Sequence, residues 1–147
     1  MTFLRLVLAA AALTFGGSAA QPAATDAAAR GKTIRLGSSQ FGSMLFDTRR
    51  QAIYVFQRDR RNKSNCYGEC ARLWPPVITK GKPRAARGVK QSLLGTTRRR
   101  DGKLQVTYAG RPLYFYAHEG PGEVECHNVN LNGGLWWVVG PTGKPRP

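Results

Sequence analysis

Acidic residues are scarce in this sequence: there are 8 Asp and Glu residues against 23 Lys and Arg residues, and the formal net charge is +15 at pH 7. A surface with this imbalance attracts anions. Because the chain also begins with an export signal, described below, we expect anionic components of the cell envelope as partners, either lipid head groups or acidic polysaccharide. Nucleic acid is not an expected partner. The basic residues are concentrated in four segments, 49–50, 58–63, 80–90 and 98–103.

Side chains that commonly carry enzyme chemistry are also few. Histidine occurs twice, as His118 and His127, and we expect both in exposed loops. No serine lies in a nucleophile-elbow context, and the glycines fall at turns, not in a loop that cradles phosphate. We therefore predict a protein that is not an enzyme, with no catalytic residue, no resident metal and no cofactor.

Long hydrophobic runs are missing beyond the N-terminus. Residues 1–20 contain a positive charge, a short apolar run and small residues at the end, which is the pattern of a secretory signal peptide. The run is shorter than the ~20 apolar residues that span a bilayer, so we predict cleavage after Ala20 and a secreted or periplasmic protein without a transmembrane segment. No cysteine lies near this position to carry a lipid. The Ala-rich residues 21–32 are expected to form a disordered leader.

Cysteine occurs three times, as Cys66 and Cys70 within SNCYGECARLWPPV (64–77) and as Cys126. An exported protein meets an oxidising environment, so one reading is a Cys66–Cys70 disulfide with Cys126 left free. A second reading is a soft-metal site, in which two thiolates and Cys126 or His127 hold Cu(I). A third is a redox pair, although the two-residue spacing of the common oxidoreductase motif is absent. We predict the disulfide, and the other two readings remain alternatives.

The order of strand and turn signals predicts a small all-β domain over residues 33–140, followed by a frayed tail at 141–147. The strongest signal is the hairpin within 96–116, where Asp101-Gly102 forms the turn. One short helix is expected after Ser64, ending before the double proline. Further strands are predicted at 33–39, 43–47, 52–56 and 135–139.

A seven-residue pattern repeats at an offset of 60 positions, in residues 53–59 and 113–119. Each copy reads apolar, Tyr, any, aromatic, any, any, acid, and each is followed by tryptophan. We therefore predict two similar β repeats, at about 40–78 and 96–140. The motif residues are Tyr54, Phe56 and Asp59 in the first copy and Tyr114, Tyr116 and Glu119 in the second.

The motif allows two interpretations. In the structural one, the aromatic residues fill the core and each acid closes a turn by accepting backbone N–H bonds. In the functional one, aromatic and acidic side chains form a binding surface. In either case we expect Trp74, Trp136 and Trp137 to line a core between the two halves.

These motifs together resemble the secreted-repeat family of predicted lipoproteins with a conserved Yx(FWY)xxD motif. The resemblance covers about residues 40–140 and implies an exported protein, often lipidated in the family, for which no biochemical activity is established. The sequence departs from the pattern in three places. It has no lipid-bearing cysteine, Glu119 replaces the second aspartate, and Cys126-His127 stands where a plainer glycine-rich loop is expected.

The functional expectation is therefore an exported, non-enzymatic cell-envelope protein that binds or scaffolds through a basic surface. The alternative is a periplasmic copper-binding or electron-transfer accessory protein that uses Cys66, Cys70 and either Cys126 or His127.

Overall fold

The computed structural model describes residues 31–146. The predicted signal peptide and most of the predicted leader lie outside the described residues. The described chain is built from ten strands, one five-residue helix and one 3-10 turn at Gln91–Leu93. In chain order these elements are β1 (Thr33–Ser39), β2 (Gly42–Asp47), β3 (Tyr54–Phe56), α1 (Glu69–Leu73), β4 (Ile78–Thr79), β5 (Arg84–Ala85), β6 (Leu94–Arg98), β7 (Leu104–Tyr108), β8 (Arg111–Pro112), β9 (Val129–Leu131) and β10 (Gly134–Val138). The all-β prediction is confirmed.

An antiparallel hairpin stands at the start of each repeat, and the first hairpin begins before the predicted bound of about 40. In it β1 pairs with β2, from Ile34 opposite Asp47 to Ser39 opposite Gly42, and β5, from the segment between the repeats, adds to β1 in parallel. In the second repeat β6 and β8 pair with β7, and β4, at the end of the first repeat, also pairs with β7. Gly102 has a φ of 80°, which places the predicted turn where glycine is favoured.

The third sheet joins the two repeats. Its strand order is β3-β10-β9, so a strand of the first repeat pairs with the last strands of the second. Leu45 N donates to Val139 O at 3.0 Å, and Ile53 N donates to Leu45 O at 3.2 Å. These bonds connect the first hairpin to the third sheet, so the two repeats form one structure.

Alternate residues of the motif strands enter two separate cores, as the two-residue period of a strand requires. Tyr54 and Phe56 pack in one cluster with Trp74 and Trp136, whereas Val55 packs in the other with Val106. The second motif follows the same rule, since its two tyrosines join the first cluster and Phe115 lies against the second.

Local boundaries differ from the predictions in three places. The helix begins at Glu69 and its N-cap is Gly68 without a side-chain cap bond, so neither Ser64 nor Asn65 caps it. The strand predicted over 113–116 is absent: only Tyr114 within it takes part in isolated bridges, one to Tyr54 and one to Pro76. The tail folds back: Pro145 bridges Val139, and Arg146 N donates to Val138 O at 3.1 Å.

No helix within residues 31–146 is long and apolar enough to cross a membrane.

Candidate functional site

The tyrosines of the two motifs are direct partners. Tyr54 N donates to Tyr114 O at 2.8 Å, and Tyr114 N donates to Tyr54 O at 2.9 Å. This is the reciprocal exchange of a hydrogen-bonded antiparallel pair. The two sequence repeats therefore meet at equivalent positions.

Each tyrosine hydroxyl binds the acid of the other motif. Tyr54 Oη donates to Glu119, lying 2.8 Å from Oε1 and 2.9 Å from Oε2. Tyr114 Oη donates to Asp59 Oδ2 at 2.7 Å. We call these four residues, Tyr54, Glu119, Tyr114 and Asp59, the tyrosine–carboxylate clasp.

The two carboxylates also close the turns that follow their own motifs. Asp59 Oδ1 accepts from Asn65 N at 2.7 Å, while Glu119 Oε1 accepts from Glu125 N at 2.7 Å and Cys126 N at 3.0 Å. Asn65 and Glu125 are 60 positions apart, so the repeat continues beyond the motif. Both tyrosines are fully buried and both acids close turns, which is the arrangement that the structural interpretation of the motif expects.

Burial perturbs the ionisation of the clasp. It raises the pKa of both tyrosines, and the neighbouring carboxylates, Glu119 for Tyr54 and Asp59 for Tyr114, add to the effect. Burial raises the pKa of Asp59 to about 6, although bonds from Tyr114 and Asn65 and the charge of Arg99 oppose the rise. The tyrosines are therefore neutral donors at physiological pH.

A buried arginine makes the two sides of the clasp unequal. Arg99 Nη1 donates to Ser64 Oγ and to Gln105 Oε1, both at 2.8 Å, and Nη2 donates to Cys66 O at 2.8 Å. Ser64 Oγ in turn lies 2.7 Å from Tyr114 Oη. The position 60 residues after Ser64 is Val124, which has no hydroxyl. Asp59, the acid of the first motif, therefore lies in a hydrogen-bond network that contains the Arg99 cation.

The tryptophans stack beside the clasp. The rings of Trp74 and Trp136 lie 3.8 Å apart at an interplanar angle of 3°, and Phe56 stacks on the other side of Trp136 at 4.2 Å. Tyr54 meets Trp74 edge-on, and Tyr114 meets Trp136 in the same way. Trp137, also expected in this core, points to the other cluster, where it is half-buried.

Cys66 and Cys70 form a disulfide with a Cα–Cα distance of 5.3 Å, and Cys126 is free and buried. The disulfide prediction is confirmed. Cys126 lies 60 positions after Cys66, so it is the counterpart of a bridged cysteine in a repeat that lacks the second one. Burial, together with the charge of Glu119, raises the pKa of its thiol to about 11.

The copper alternative finds no support in this geometry. Its two proposed thiolates are joined in the disulfide, and residues 31–146 contain no group of three or more His, Cys, Asp or Glu side chains placed to hold a metal. His127 is used structurally: its Nδ1 accepts from Val138 N at 3.3 Å, and its ring lies 4.4 Å from that of Phe41.

A groove of about 700 Å³ lies beside the disulfide and is strongly basic. Four exposed cations, Arg58, Arg60, Lys63 and Arg100, line it together with two asparagines, Asn65 and Asn132. Its remaining lining residues are Phe56 and Cys70. We call this feature the basic groove.

Both basic segments of the groove are visible in the sequence, but no sequence signal places them side by side. The first segment leaves β3, and Arg100 belongs to the β6–β7 turn. The two meet because the Arg100 guanidinium lies 3.8 Å from the centre of the Tyr67 ring, while Arg100 N donates to Tyr67 Oη at 3.2 Å. Asp101-Gly102 predicts a hairpin turn, but nothing in the sequence indicates that the adjacent Arg100 contacts Tyr67.

The fold and the clasp define an all-β protein made of two tandem repeats that hold each other through tyrosine–acid bonds. The chain belongs to the family described as a secreted repeat of unknown function, which matches residues 37–78 and 95–140. Each matched segment contains one copy of the motif, so the resemblance seen in the sequence is confirmed. No curated protein and no solved structure matches the chain.

Proposed function

We propose that this secreted-repeat protein is a non-enzymatic component of the cell envelope that binds anionic envelope molecules through its basic surface. The expected ligands are lipid head groups or acidic polysaccharide. The proposal includes cleavage of the signal peptide after Ala20 and release without a lipid anchor.

One observation carries the proposal: the exposed side chains of residues 31–146 are far more often basic than acidic. Of the seven acidic residues there, Asp47 and Glu119 are buried, Asp59 is half-buried in the clasp, and the other four are exposed. Of the 21 basic residues there, Arg99 is the one that is buried, and 17 are exposed. The surface of an already cationic chain therefore carries a large excess of positive charge.

The non-enzymatic part of the proposal rests on how the motif side chains are used. The tyrosine hydroxyls and the motif carboxylates bond to one another and to backbone N–H groups inside the protein. The Cys126 thiol is buried and its raised pKa keeps it protonated. These groups hold the fold together and offer no activated nucleophile at a surface.

Binding assays with the protein lacking residues 1–20 test the proposal. We expect it to bind polygalacturonate or vesicles rich in phosphatidylglycerol, and to release them as salt is raised, because exposed charges are screened over ~8 Å at physiological ionic strength. Dextran and phosphatidylcholine vesicles are the neutral controls. Equal binding to charged and neutral materials, or binding to none of them, would reject the proposal.

Mass spectrometry of the protein taken from its native envelope tests the export step. We expect a chain that begins at Gln21 and carries no acyl group. A chain that retains Met1, or one with added lipid mass, would contradict this part of the proposal.

A further inference from the structure

We propose that the basic groove is the binding site for a carboxylate-bearing polysaccharide chain. This inference rests on the proposed function and assigns it a ligand class and a location. It is carried by the charge of the groove, the fixed position of its walls and the polar groups between the charges.

The cations of the groove have no anionic partners within residues 31–146. None of Arg58, Arg60, Lys63 and Arg100 takes part in an ion pair within residues 31–146, where the ion pairs use Lys32, Arg49, Arg72 and Arg99. No acidic side chain lines the groove. Asp59 lies in the same turn, but its two oxygens face Tyr114 Oη and Asn65 N. The groove therefore has four positive charges available for external carboxylates.

The walls of the groove are held in place. On one side, Arg60 and Lys63 form a bridge in which Arg60 N donates to Lys63 O at 3.1 Å and Lys63 N donates to Arg60 O at 3.0 Å. On the other side, Arg100 is fixed on Tyr67, beside the disulfide that closes the loop. Cations on fixed backbone lose less freedom on binding, which favours affinity.

The groove also offers groups that suit sugar hydroxyls. Asn65 Nδ2 donates to Arg58 O at 2.5 Å, and Asn65 Oδ1 accepts no hydrogen bond within residues 31–146, so it is available as an acceptor. Asn132 is exposed at the β9–β10 turn, with a φ of 54°. An acidic polysaccharide presents hydroxyls as well as carboxylates, and the groove offers amides for the hydroxyls and cations for the carboxylates.

The shape of the site favours a polymer chain over a bilayer. A shallow groove can contact a chain along its length, whereas membrane-surface binding also uses exposed apolar side chains. In residues 31–146 the one large hydrophobic side chain that is exposed is Leu131, at 37%. The observations thus favour polysaccharide, and a lipid surface is the competing outcome in the test.

The test compares two quadruple variants that lose the same charge. The groove variant carries Arg58→Gln, Arg60→Gln, Lys63→Gln and Arg100→Gln. The control carries Lys80→Gln, Lys82→Gln, Arg87→Gln and Lys90→Gln, which are exposed residues of the loop before β6. Urea denaturation verifies that both variants fold. We expect the groove variant to bind polygalacturonate at least about tenfold more weakly than the parent, and the control to lose less than about threefold.

The outcomes separate this inference from the proposed function. If the parent protein binds neither polygalacturonate nor phosphatidylglycerol vesicles, the proposed function fails. If it binds and both variants lose affinity equally, the proposed function stands and the groove assignment is overturned. Loss of vesicle binding alone in the groove variant would assign the groove to lipid and would also overturn the inference.

A single variant tests hydroxyl recognition separately from charge. Asn132→Gly removes the amide while glycine tolerates the positive φ. We expect it to weaken binding to polygalacturonate by about threefold or more, and to leave binding to polyacrylate, which has carboxylates but no hydroxyls, unchanged. An equal change in affinity for both polymers would show that the groove does not recognise hydroxyls, and would contradict the polysaccharide assignment.

Discussion

Replacing Tyr54 by phenylalanine removes one hydroxyl from the clasp and keeps the ring in the core. The lost group donates to Glu119, a carboxylate that is only 6% exposed. Hydrogen bonds to charged groups contribute about 1.5–3 kcal/mol. Glu119 still accepts from Glu125 N and Cys126 N, so it is not left without partners. We therefore expect Tyr54→Phe to lower the free energy of unfolding by about 2 kcal/mol.

The same change at Tyr114 is expected to cost a similar amount, about 2 kcal/mol: water can replace the donor to the half-buried Asp59, but the buried Ser64 hydroxyl also loses its partner. Tyr67→Phe is the matched control: Tyr67 Oη meets Arg100 N near the surface at 3.2 Å, and a cost below ~0.5 kcal/mol is expected. Urea denaturation at pH 7 with the disulfide intact measures all three variants. A cost for Tyr54→Phe that does not exceed that of the control would refute the account of the clasp.

Three further predictions concern titration, thiols and packing. Because burial raises the pKa of Asp59 to about 6 from 3.8, the native state holds this proton more tightly than the unfolded chain. The proton on Asp59 therefore stabilises the native state fully below about pH 4, and this stabilisation is lost as the pH rises through ~6. Urea denaturation at several pH values should show that the free energy of unfolding of the wild type falls by ~1–2 kcal/mol relative to Asp59→Asn over that range. Peptide mapping should show that Cys126 is alkylated slowly in the native protein and rapidly in urea. Cys66→Ser should lower the free energy of unfolding by about 2 kcal/mol, because the loop closed by the disulfide is short. A disulfide to Cys126 would contradict both predictions. Trp136→Ala should cost about 3–5 kcal/mol and Trp137→Ala clearly less, since only the first is fully buried; equal costs in denaturation would oppose the two-core description.

The repeat and the strand faces were predictable because they depend on local periodicity. Tyrosine and the second aromatic lie two residues apart, which is enough to place Tyr54 and Phe56 on one face. The partner of each tyrosine was not predictable. A pattern that repeats at an offset of 60 is equally consistent with a tyrosine bonding to its own acid or to the acid of the other copy. Only the pairing of Tyr54 with Tyr114 makes the bonds cross between repeats.

Cys126 shows a signal that was present but read differently. In the sequence it stood out as an addition to a glycine-rich loop. With the offset carried past the motif it becomes the counterpart of Cys66, and His127 becomes that of Tyr67. Both pairs also occupy matching places in the structure: Tyr67 lies against Arg100 from the second hairpin, and His127 lies against Phe41 from the first.

The basic groove depended on tertiary structure throughout. Composition predicted an anion-seeking surface, but the segment 58–63 and Arg100 are distant in the chain, and a cation–π contact with Tyr67 brings them together. A run of charged residues has no periodicity that would predict its neighbours in the folded protein. The residues that line the groove could therefore be identified only from the structure.

The most direct test of the reciprocal clasp is a pair of double-mutant cycles in urea denaturation. One cycle combines Tyr54→Phe with Glu119→Gln, which are partners across the repeats, and the other combines Tyr54→Phe with Asp59→Asn, which belong to the same motif. If the bonds cross between the repeats, the coupling energy is expected to be about 1–2 kcal/mol in the first cycle and less than ~0.5 kcal/mol in the second. Coupling confined to the second cycle, or absent from both, would contradict the crossed bonds.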